Sequence, residues 1–173
     1  RIAWGTFIGL TATVWVSVAA GLGLVSVVLA PVVVLDDLAS IGVAALATLA
    51  AAAVGVALGL LISASAAGRS QATALAAATW FVGALGIDIV VAAIAPSAFG
   101  AGGLLGVALI NPIESVRLLA LLLIDTEALG PFGGYLLDRF GAAGSVGMLG
   151  TSVVFWVLAP MWLATLVFRR RDV

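Results

Sequence analysis

Residues 2–35 run without a single charged side chain. A helix needs about 20 residues to cross the hydrocarbon core of a bilayer. A run this long and this apolar has few soluble solutions, because water-facing positions would have nothing polar to present. The same texture continues along the chain. Of its 173 residues 64% are hydrophobic and 9% charged, with a mean hydropathy of +1.34. A soluble domain is about half apolar and a quarter charged. The composition therefore specifies an all-α integral membrane protein with lipid covering part of its surface.

Four crossings are expected, at about residues 4–29, 38–62, 71–95 and 147–168. Trp4 suits an interfacial anchor, and Pro31 and Pro96 suit helix stops. Asp36-Asp37 form a polar turn, residues 63–70 a loop carrying Arg69, and residues 96–103 a linker. Residues 132–140 read as a short interfacial helix before the last span. Phe132, Leu136 and Phe140 share one face there, while Asp138 and Arg139 lie away from it. Pro160 predicts a kink in the last span. Gly5-x-x-x-Gly9 and Gly55-x-x-x-Gly59 offer close helix approach, although chance explains such spacing in an Ala/Gly-rich chain.

Residues 104–124 are long and apolar enough for a further crossing, yet they are interrupted. Asn111 is a good N-cap, Pro112 fits N1, and Glu114 at N3 completes a capping box with the Asn111 N–H. A continuous crossing would hold Glu114 and Arg117 near mid-bilayer, at about 2.5–3.5 kcal/mol for each such charge. A re-entrant pair of short helices avoids that. The arginines agree with it. Without this crossing, Arg1, Arg69 and Arg169-Arg170-Arg171 share one side, which the excess of arginine marks as cytoplasmic. With it, the triple arginine moves to the opposite side. The expected architecture is thus four transmembrane helices, a re-entrant broken helix at 104–124 and the interfacial helix.

Four stretches resemble the type-2 ABC transporter permeases, and most closely the branch that includes the nitrous oxide reductase maturation permease. They are residues 4–10, residues 60–73 (LLISASAAGRSQAT), residues 109–119 (LINPIESVRLL) and the ending Phe168-Arg169-Arg170-Arg171-Asp172. The resemblance implies the C-terminal part of a six-span permease in a prokaryotic plasma membrane, with a cytoplasmic C-terminus. It implies pairing with a second permease copy and with ABC ATPase subunits, which hold ATP and Mg. The substrate would cross by rocking of helix bundles, without a covalent step in this chain.

Several chemistries are excluded by inventory. There is no Cys or His, and every cation is Arg. Without Lys a P-loop cannot form. A soft copper site needs Cys, His or Met, and Met148 and Met161 stand apart. No cofactor is expected in the chain itself, and a net charge of −1 argues against a nucleic-acid partner. Asp88 reads either as a path-lining acid or as a structural group near a helix end. Glu114 and Arg117 read as an ion pair shaping the turn or as a polar gate. Arg69 and Arg169–171 read as topology signals, with ATPase contact a second reading for Arg69. A non-transporting membrane scaffold or assembly factor is the alternative class.

Overall fold

The computed structural model describes residues 2–29, 38–86, 89 and 100–171. The expected Asp36-Asp37 turn, the stops at Pro31 and Pro96, Asp88, Arg1 and Asp172 lie outside them. All elements among the described residues are helical. They are α1 (Ile2–Leu29), α2 (Leu38–Ser65), α3 (Arg69–Phe81) with a π-helical extension Val82–Gly86, α4 (Gly100–Ile110), α5 (Pro112–Ile124), a 3-10 turn Thr126–Leu129, and α6 (Gly130–Arg171).

Among the described residues three segments are long and apolar enough to cross a membrane, Ala3–Val28, Leu38–Ser65 and Phe132–Arg170, or four if the bent pair Gly102–Ile110 and Pro112–Ile124 is one span. At 1.5 Å per residue the 28 residues of α1 extend about 42 Å, more than the ~30 Å hydrocarbon core. Their outward faces carry Ile8, Val16, Leu24, Phe155, Leu158 and Trp162, all exposed. Such contiguous apolar surface belongs against lipid. The third expected span is helical from Arg69 to Gly86, and its remainder lies outside the described residues.

Two clusters define the ends of the bundle. Ala3, Ala57, Leu60 and Met161 form one, with Phe7 and Phe168 packed against it. The start of α1 and the ends of α2 and α6 therefore meet at one end, carrying Arg69 and Arg169–171 with them. Ala108, Leu118, Leu122 and Leu149 form the other cluster, joined by Leu129, Phe132 and Val146. In lipid such contacts act through close packing more than through hydrophobic driving force.

Some boundaries move. The loop expected at 63–70 shrinks to residues 66–68, because α2 continues to Ser65 and α3 begins at Arg69. The linker expected at 96–103 already gives way to helix at Gly100. Pro160 lies within α6, and the same element carries non-helical backbone at Gly141 (φ 69°, ψ 170°). That backbone region suits glycine alone. The buried Ser145 hydroxyl lies 3.0 Å from the Leu136 carbonyl and 2.8 Å from that of Gly141, bracing the break. Residues 130–140 are thereby set off from the long helix behind them. Leu136 is buried there, whereas Phe140, Asp138 and Arg139 are exposed.

Candidate functional site: the bend between α4 and α5

The two arms of the broken segment bend by 118° at Asn111. Asn111 has extended backbone (φ −94°, ψ 113°) and its side chain accepts from the Ile113 N–H at 3.0 Å. Pro112 follows at the first helical position, where it sacrifices no hydrogen bond. The Asn111 N–H itself donates to the Val107 carbonyl at 3.2 Å. The expected capping box assigned that N–H to Glu114. It is used otherwise because α4 runs unbroken to Ile110 and needs that donor to close its last turn. Glu114 pairs with Arg117 at 3.5 Å. The Glu114 side chain is largely covered, and that of Arg117 is more than half exposed.

The far ends of both arms come near residues 129–135. Leu104 of α4 and Leu121 of α5 line one small pocket with Leu129 and Phe132. A Cβ on Gly102 would come 3.2 Å from the Tyr135 hydroxyl. The bend points the other way, into the middle of the bundle. There the Trp156 indole Nε1 donates to the Leu109 carbonyl at 3.0 Å, and the Ser152 hydroxyl reaches the same carbonyl at 3.3 Å. The Ser115 hydroxyl lies 3.0 Å from the Ala108 carbonyl and 2.9 Å from Ser152 Oγ. Carbonyls at the end of α4 thus find donors where the helix can no longer supply them.

Asn111 also reaches α3. Its Nδ2 donates to the Gly83 carbonyl at 2.7 Å. Trp156 is about 20 Å from Arg169 along α6, and Gly83 about 21 Å from Arg69 along α3, at 1.5 Å per residue. Two independent helices therefore place the bend at the same height above the arginine end. Beside it, a cavity of about 840 Å³ separates α2 from α3, lined by Val54, Leu58, Ile62, Thr79, Trp80 and Asn111, among others. Gly55 and Gly59 also line it, and a Cβ on either would meet nothing within 4 Å.

The structure brings Asn111, Pro112, Glu114 and Arg117 together at the bend. Arg69 and Arg169–170 are exposed at the far end of the bundle, and Asp88 lies outside the described residues. Gly83, Ser115, Ser152 and Trp156 were not singled out as site residues by sequence. Trp156 offered one signal, an indole far from either end of an apolar run. Gly83 offered none. Met161 packs in the core cluster at the arginine end. Among the described residues no three His, Cys, Asp or Glu side chains converge in a way that could hold a metal ion.

Lipid-length apolar helices and a bent pair stitched into their middle define a multi-pass membrane protein. The chain belongs to the ABC-2 family transporter proteins, whose family model matches residues 2–173. It is a membrane permease component of the ABC transporter type. No curated protein and no solved structure matches it.

Proposed function

We propose that this chain moves substrate across the cell membrane as a permease subunit, with energy from a separate ATPase subunit that holds ATP and Mg. The carrying observation is the family match along residues 2–173. Four crossings, by α1, α2, the span that α3 begins, and α6, give the topology, within a six-span subunit that pairs with a second copy. The α4–α5 pair is a re-entrant hairpin from the outer face, and residues 130–140 cover its mouth. Two features support this. Both arms of the bent pair have their ends near Phe132 and Tyr135. Arg69 and Arg169–171 stand at the opposite end, which the positive-inside rule makes cytoplasmic. The membrane is the plasma membrane of a prokaryote, and the motifs ally the subunit with the nitrous oxide reductase maturation branch. Chemistry resides in the partner, and this chain contributes the moving walls.

The test is purification of the full-length subunit from its own membranes. An ABC ATPase is expected to co-purify, with ATP turnover stimulated by the permease in lipid nanodiscs. Absence of any associated ATPase would instead favour a non-transporting scaffold.

A further inference from the structure

We propose that α3 is a lever jointed at Gly83 to Asn111, so that displacement of its Arg69 end is delivered to the tip of the α4–α5 hairpin as the α2–α3 cleft closes. The inference rests on the permease reading above and names its moving part.

The first observation is the exposure of α3 along its length among the described residues. None of the 13 residues from Arg69 to Phe81 is buried within the described chain. Its neighbour α2 stands off across the cavity of about 840 Å³. On the α2 side, Gly55 and Gly59 leave open space where a helix could approach. Small residues at such spacing let backbones come together. The cleft therefore has both the room and the surface for closure.

The second observation is how firmly the far end is held. Val82–Gly86 winds as a π-helix, a form that recurs at functional sites and where a side chain can enter the backbone ladder. Here the side chain is that of Asn111, only 2% exposed. Its Nδ2 takes the Gly83 carbonyl at 2.7 Å while its Oδ1 holds the Ile113 N–H. The glycine is part of the joint. A Cβ at position 83 would stand 3.2 Å from Ile113 Cδ1. One buried amide thus serves α3 and the first turn of α5 at once.

The third observation concerns the near end. Only residues 66–68 separate α2 from α3, and the Ala67 N–H donates to Gln71 Oε1 at 2.7 Å. Arg69 follows, exposed. Hinge and shear motions carry a stiff helix as one body about its joints. Displacement at Arg69 then reaches the hairpin tip through the Gly83–Asn111 bond.

The experiment uses the full-length subunit with its ATPase in nanodiscs. Leu58→Cys and Ala76→Cys place one thiol on each wall of the cleft, and this chain has no cysteine to compete. Cross-linking by a bifunctional thiol reagent is compared with and without a non-hydrolysable ATP analogue. A several-fold change in yield is expected on adding nucleotide. Asn111→Ser keeps a capping oxygen but is too short to reach Gly83, and it should abolish that change while the ATPase still co-purifies. Asn111→Asp serves as the second variant, since it keeps the acceptor for Ile113 and loses the donor. A purely structural role would lower yield without altering the nucleotide response. A response undiminished in the variants overturns the lever, as does an unresponsive cleft in a parent protein whose ATP turnover is stimulated. If no ATPase is stimulated at all, the permease reading falls and the lever with it.

Discussion

Trp156 and Leu109, 47 residues apart, are joined by an indole-to-carbonyl hydrogen bond of 3.0 Å. The bond ties α6 to the last turn of α4, where a carbonyl has lost its helical donor. Ser152 is the second donor to that carbonyl, at 3.3 Å. Trp156→Phe keeps the ring and removes one bond. Interhelical polar bonds in membranes contribute about 0.6 kcal/mol on average, so the single variant is expected to unfold at a slightly lower temperature. With Ser152→Ala added, the carbonyl has neither donor, and the loss should exceed the sum of the two single losses. Thermal unfolding in detergent micelles measures this. Strict additivity would show that the two donors do not share one acceptor.

The corner between the 3-10 turn and residues 130–140 makes a sharper demand. A Cβ on Gly133 would stand 2.7 Å from the Thr126 carbonyl oxygen and 2.9 Å from Leu129 Cβ, while one on Gly134 meets nothing within 4 Å. Neither obstacle is the far end of a flexible side chain. Gly133→Ala should cost about 1–3 kcal/mol, the usual range for overpacking, and Gly134→Ala close to nothing. The comparison reads out as folded yield and melting temperature. Equal behaviour of the two variants would contradict the packing described for this corner.

Glu114 and Arg117 pair at 3.5 Å on one face of α5. An ion pair this open is worth little in itself, about 0–1 kcal/mol. Glu114 is the better covered partner and sits in the first turn of α5, where a negative charge complements the helix dipole. Glu114→Ala is expected to reduce folded, membrane-inserted protein and to leave substrate selectivity as it was. A well-folded variant with altered selectivity would make the pair a gate.

Topology can be read by thiol labelling in intact cells, since this chain has no native cysteine. Thr126→Cys should react with a membrane-impermeant maleimide from outside, and Gly68→Cys only after permeabilisation. Ser115 is a poor reporter because it is fully buried. Labelling of Thr126→Cys from the cytoplasmic face alone would sink the re-entrant arrangement.

Much of the backbone is legible from local signals. The bend at Asn111-Pro112 is written in two adjacent residues, because a cap and an N1 proline act on N–H groups within one turn. Gly141 carries no local mark, being one glycine among 21. Pro160 lies inside α6, where neighbouring helices tolerate it. The capping box failed for a related reason. The Asn111 N–H had two claimants, and the Val107 carbonyl of α4 takes it at 3.2 Å.

By itself the sequence determines that the chain is helical, lies in lipid, breaks at Asn111 and gathers arginine at its turns and tail. Those properties follow from apolar run length, backbone satisfaction over a few residues and the cost of charge in hydrocarbon. Only the tertiary structure decides that Gly83, Ser152 and Trp156 are the groups that hold the bend. In a helix apolar on every side, no periodic stripe marks the face that packs. The buried carbonyls at the bend must be paired, but which of many similar helices pairs them is a matter of shape and distance, settled only when the helices meet.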